Sequence, residues 1–178
     1  MLPRDRLNRH GPQLLKIAMR WRDRAVPLAT ASWQSRPVMP MIDVYAAGGT
    51  FADKHTLAQN LAQAVMRWEQ VPEIPLFSDN TAAFIHDLSA EAIANAAGAT
   101  NYIRVQVLTP AGVFDRDKQL GVVKELTEIV AAATGDPSYE QRTWVLITES
   151  PDGGWGIGGH ANTNTDIAAS ARAALDAV

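Results

Sequence analysis

The chain reads as an α/β (α+β) protein made of tandem β-α-β repeats, and three observations carry that reading. Pro40-Met41-Ile42-Asp43-Val44 and Asn101-Tyr102-Ile103-Arg104-Val105 are extended runs with alternating side chains, 61 residues apart. Gly48 and Lys54 recur as Gly112 and Lys118, and Thr81-Ala82-Ala83-Phe84-Ile85-His86-Asp87 recurs as Thr143-Trp144-Val145-Leu146-Ile147-Thr148-Glu149. An amphipathic helical pattern separates the two strands of each copy. A period this long lies beyond the solenoid range and marks a duplicated domain. Copy one spans 40–100 and copy two 101–163; a C-terminal helix occupies 164–178, and 1–39 is an N-terminal extension foreign to the repeat.

That extension is basic. It carries Arg4, Arg6, Arg9, Lys16, Arg20, Arg22, Arg24 and Arg36 against Asp5 and Asp23, so with a whole-chain charge of −3 the remainder is strongly acidic. Gly11 to Val26 suits a short basic helix with Leu14, Leu15, Ala18 and Trp21 inward. Such a segment is the one place where nucleic acid or an acidic surface would bind. It lacks the continuous apolar stretch and cleavage site of a signal peptide.

In copy one, Thr50-Phe51-Ala52-Asp53 has the form of a capping box. Leu57, Leu61, Val65 and Trp68 then recur on one face until Pro72 ends the helix. In copy two Asp115 caps, Val122, Leu126, Ile129, Val130 and Ala133 form the stripe, and Gly135 with Pro137 terminates it. The alanine-rich stretch near Asp166 to Ala177 predicts a last helix.

Pro40-Met41-Ile42-Asp43-Val44-Tyr45, together with Arg142-Thr143-Trp144-Val145-Leu146-Ile147-Thr148-Glu149 running into Gly153-Gly154-Trp155-Gly156-Ile157-Gly158-Gly159, resembles the tautomerase superfamily typified by 4-oxalocrotonate tautomerase. The resemblance covers residues 40 to 160. It implies a four-stranded mixed sheet with two helices on one face, a homotrimer, and an amino-terminal proline, Pro40, as the catalytic group. The implied reaction is enol–keto interconversion of a small carboxylate without metal or organic cofactor. Hydratase, decarboxylase and dehalogenase relatives, whose proline acts as an acid, are the runner-up within enzymes. A binding protein on the same fold is the alternative outside them.

The state of the Pro40 nitrogen separates these readings. Preceded by Met39 it is a tertiary amide and no base, and Pro40 then merely starts a strand where its missing N–H does no harm. In a chain started at Met39, removal of that methionine leaves a secondary amine, which is the start we expect. Processing of a real leader gives the same amine.

Carboxylate substrates imply arginine ligands. The family's turn position falls near Thr50 and Val113 and its strand position near Ala82 and Trp144, none of them arginine. Arg116, three residues past the turn, Arg142, two before the strand position and on the same strand face, and Arg104, on the strand itself, are the candidates. Each also reads as a surface or subunit-contact charge. Trp155 stands where the family's pocket-lining aromatic stands, with Ile93 its counterpart in copy one; it reads equally as subunit packing. Asp79, ahead of the second strand of copy one, sits near where relatives place a water-activating group, although an Asp-Asn pair more often makes a turn.

Other signals are weaker. Gly154 to Gly159 satisfies G-x-G-x-x-G without the helix and downstream acid of a dinucleotide site. His10, His55, His86 and His160 lack metal-ligand spacing. The absence of cysteine excludes disulfides and thiol chemistry. The 178 residues, 47% hydrophobic, suffice for one core, and no apolar run reaches the roughly 18 residues of a membrane span, which gives a cytoplasmic expectation.

Overall fold

The computed structural model describes residues 39–176. The basic extension up to residue 38, and with it the helix expected at Gly11 to Val26, lies outside the described residues. Copy one runs β1 (Met41–Ala47), α1 (Lys54–Glu69), a helical turn at Pro75–Ser78 and β2 (Ala82–Leu88). Copy two runs β3 (Ile103–Pro110), α2 (Arg116–Thr134) and β4 (Thr143–Ser150). A small hairpin, β5 (Trp155–Ile157) and β6 (His160–Asn162), and helix α3 (Asn164–Asp176) follow.

The four long strands form one mixed sheet in the order β2-β1-β3-β4. Each copy contributes a parallel pair, and the copies join antiparallel through β1 and β3. In β1 the even-numbered side chains Ile42, Val44 and Ala46 are buried while the odd ones are half-exposed. With Ile103, Val105 and Val107 they pack under Leu57, Leu61 and Val65 of α1 and Val122, Leu126 and Val130 of α2. Both helices therefore cover one face. The other face keeps Phe84, Trp144 and Leu146 half in solvent.

Within the described residues the predicted helices stand, with one change of cap. Asp53, not Thr50, caps α1, accepting from the Thr56 N–H at 2.9 Å, while the Thr50 hydroxyl bonds Ala47 O in the preceding turn. Two residues that both suit a capping role lie three apart here, and the chain leaves its turn only at the second. Asp115 caps α2 through the Lys118 N–H, and Gly135 closes it in the left-handed conformation, φ 73°. Helix α3 begins at Asn164, with Thr163 and Asp166 exchanging bonds across its first turn. The helices of each copy run back along their strands, so the end of α1 and the start of α2 meet at the same sheet end, the end where Pro40 enters.

Candidate active site

Pro40 is buried at the tip of β1. Its even number puts it on the helix-covered face, and its carbonyl accepts from the Ala82 N–H at 3.4 Å. One flank is apolar. Met39 packs in a cluster with Met66, Phe77, Trp155, Ile167 and Ala171, with Met41 and Leu108 against it. Trp155 reaches that cluster because the chain doubles back after β4. A Cβ on Gly154 would stand 2.5 Å from Ser150 Oγ, so only glycine allows the turn.

The other flank is polar. Continuing the register Met41↔Ala82 and Met41↔Leu108 by one residue sets Thr81 on one side of Pro40 and Thr109 on the other. The Thr109 hydroxyl donates to Glu69 Oε1 at 3.0 Å, and Glu69, Thr81 and Thr109 are all buried. Glu69 Oε2 and Thr81 Oγ1 have no hydrogen-bond partner. Burial pushes the Glu69 carboxyl well above the usual carboxylate range, against the opposing pull of the Thr109 hydrogen bond and the Lys118 charge.

None of the expected arginines is among the residues that pack around Met39 and Trp155. Arg104 is opposite Tyr45 on the uncovered face, its guanidinium 5.2 Å from that ring. Five residues along the strand from Pro40, at about 3.3 Å each, it is roughly 17 Å away. It lines a cavity of about 280 Å³ with Tyr45, Ile93, Tyr102 and Trp144. Arg142 ends a 3-10 helix (Pro137–Arg142) instead of sharing a strand face with Trp144. It stacks 4.1 Å from the Tyr139 ring and bonds Asp136 at 3.1 Å, which occupies it locally. Arg116 opens α2 and lines a larger cavity, about 710 Å³, with Leu120, Val123 and Glu149. Asp79 is exposed and accepts from Ser78 Oγ at 3.2 Å in the loop leading to Thr81.

No family model matches the chain, and no curated protein matches it. Solved structures do. A wild-type fused 4-OT, an asymmetric trimer, is 24% identical with a TM-score of 0.59 over 70% of this chain and 96% of that one. The structure of Pt0534 inactivated by 2-oxo-3-pentynoate is 19% identical, TM-score 0.58, over 70% and 96%. The malonate semialdehyde decarboxylase FG41, inhibited by 3-bromopropiolate, is 17% identical, TM-score 0.51, over 69% and 92%. The fold is the tautomerase fold in its fused, two-copy form. Within it, the sequence-predicted Trp155 shares an apolar cluster with Met39, next to Pro40, whereas Arg104 lies far along the sheet, Arg142 is held by Asp136, and Arg116 lines the cavity beside Glu149.

Sequence reasoning missed Glu69, Thr81 and Thr109. A signal for the first was present. Leu57, Leu61 and Val65 step by four along the buried stripe, and the next step lands on a carboxylate.

Proposed function

We propose that this protein, in a chain beginning at Pro40, is a tautomerase acting on a small 2-oxo or enol carboxylate. The observation that carries the reading is the position of Pro40, buried at a strand tip of the tautomerase fold between an apolar cluster holding Trp155 and a buried polar flank. A free α-amine titrates at about 7.7–8.0 in water. Apolar surroundings disfavour its ammonium form and lower that value. The amine is then a base poised near neutrality, suited to taking a proton from the carbon beside a carbonyl.

The substrate carboxylate is assigned to Arg104, which lines a cavity and stacks on Tyr45, whereas Arg142 is held by Asp136. A site using both Pro40 and Arg104 draws them from two protomers. The exposed Phe84, Trp144 and Leu146 on the uncovered face, and the trimeric state of the fused 4-OT structure, support a homotrimer in which that face is covered.

The decisive experiment compares chains. A chain started at Met39 and processed to Pro40 should ketonise a phenylpyruvate-type enol. Pro40→Ala, or one residue added ahead of Pro40, should lower the rate on the order of 10²–10⁴-fold. Equal rates from Met1-started and Pro40-started chains would exclude the proline mechanism. Arg104→Ala should raise KM for carboxylate substrates more than it lowers kcat, with Arg142→Ala near wild type.

A further inference from the structure

The two halves of the molecule differ most in polarity at the ends of β1 and β3. At the Pro40 end stand Glu69, Thr109 and a Thr81 hydroxyl without a partner. At the corresponding end of copy two Asn101 replaces proline. The stretch matching Glu69 is Ala131-Ala132-Ala133, and the positions matching Thr109 are Ala47 and Gly48. Thr143, the counterpart of Thr81, donates to Tyr139 O at 2.8 Å and is satisfied. Among the described residues, two of the three buried polar side-chain atoms without a partner therefore stand at the Pro40 end of the repeat, and the third, Asn164 Nδ2, belongs to α3 outside it.

Buried polar atoms are paired in almost all folded proteins, and exceptions call for an explanation. Glu69 is 3% exposed, and its Oε2 has no partner. Helix α1 lies on the β1–β2 half of the covered face, and β1 separates β2 from β3. To bond Thr109 on β3, the Glu69 side chain extends across β1 at its Pro40 end. Residues directly opposite in an antiparallel pair have Cβ atoms about 5 Å apart, so the carboxyl held by Thr109 lies within side-chain reach of the Pro40 ring.

We propose that Glu69 is the second acid–base group of the Pro40 site, with Oε1 anchored by Thr109 and Oε2 presented to the carbonyl oxygen of the substrate. The inference rests on the tautomerase reading. With a 2-oxo acid bound, the Pro40 nitrogen takes the proton from the carbon beside the carbonyl. The C–H pair becomes the carbon–carbon double bond, the carbonyl π pair moves onto oxygen, and that oxygen takes the proton of Oε2. Pro40 ends as ammonium and Glu69 as carboxylate, and transfer of the ammonium proton through solvent to the carboxylate restores both after the enol leaves. Ketonisation is the reverse. Burial, which pushes the carboxyl well above the usual carboxylate range, favours its protonated form and equips it to donate. The groups acting on it are Thr109 from β3, Lys118 from the first turn of α2 and, in the chain begun at Pro40, the proline amine from β1.

The test uses Pro40-started chains and two readouts: ketonisation of a phenylpyruvate-type enol across pH, and the rate at which 2-oxo-3-pentynoate adds to Pro40, followed by intact mass. In that addition the nitrogen pair bonds the β-carbon, an alkyne π pair becomes a double bond to the carbonyl carbon, the carbonyl π pair moves onto oxygen, and the oxygen takes the acid's proton; the nitrogen then loses its own proton to solvent as the enol ketonises. Glu69→Ala should slow both by roughly 10²-fold or more. Glu69→Gln, which keeps a hydrogen-bond donor but does not titrate, should recover part of that loss and, with the addition followed across pH, abolish the fall in wild-type labelling rate at high pH, without lower thermal stability. Thr109→Val tests positioning and should shift the same limb of the profile. If wild type ketonises and is labelled while both Glu69 variants stay within threefold of it with the same pH profile, the assignment of Glu69 is overturned and that of Pro40 stands. If Pro40 is neither labelled nor active in the wild-type chain, both fall together.

Discussion

A single carboxyl illustrates how burial alters chemistry that composition leaves ordinary. Glu69 is one of nineteen acidic residues in the chain, yet its surroundings push its titration well above the usual carboxylate range. The folded state therefore holds a proton that the unfolded chain releases near pH 4.3. This contribution to stability is full below that value and is lost as pH rises through the higher folded pKa. Glu69→Gln carries no such charge, so in the Met1-started chain its melting temperature relative to wild type should increase from pH 5 to pH 9. A constant difference across that range, measured by circular dichroism, would show that Glu69 does not titrate as its burial requires. Asp53, Asp136 and Asp166 behave oppositely. Thr56, Ser138 and Thr163 respectively donate to them, through side chain and backbone, and hold each carboxyl below its ordinary value.

Between elements, the contact of α1 with α2 is set by one glycine. A Cβ at Gly121 would lie 1.9 Å from Trp68 Cη2, and the indole is pinned by its Nε1–H to Glu125 Oε2 at 2.7 Å. The same glutamate takes Arg67 at 2.6 Å, joining both residues of α1 to α2. Gly121→Ala improves helix propensity by about 1 kcal/mol, whereas overpacking costs about 1–3 kcal/mol. The displaced indole also gives up its bond to Glu125. The net effect should be destabilisation of about 1–2 kcal/mol, read from urea unfolding. A stabilised variant would show that Trp68 moves aside without cost. The apolar stripe containing Leu57, Leu61, Val65 and Trp68 was legible because helix periodicity is local. That Trp68 needs a glycine across from it was not, since no local pattern in α2 names its partner in α1.

For the molecule as a whole, the trimer proposal rests on the uncovered sheet face. Phe84, Trp144 and Leu146 are 50%, 47% and 46% exposed, and a face of this kind marks an interaction surface. Leu146→Lys should leave secondary structure intact and shift the assembly from trimer toward monomer, measured by light scattering at micromolar concentration. A wild-type chain that is already monomeric there would end the trimer proposal. Among the described residues no helix is long and apolar enough to cross a membrane.

The sequence by itself determined the duplication, the strand–helix–strand order of each copy, the Asp115 cap and the Gly135 stop. These rest on spacings of a few residues or on a repeat of such spacings. It also singled out Pro40, through a strand that opens with proline, and Trp155, through the glycine-rich turn. Only the tertiary structure decided that Asp53 rather than Thr50 caps α1, that Arg142 is spent on Asp136 and Tyr139, and that Glu69 is enclosed. It alone placed Thr109 beside Pro40, sixty-nine positions away in the chain. The antiparallel register of β1 and β3 makes that meeting, and the register is fixed by which side chains of both strands fit beneath α1 and α2 at once. A long-range packing condition of that kind has no local signature, so the four-step stripe could point to Glu69 as a buried position while its meeting with Thr109 was not readable in advance.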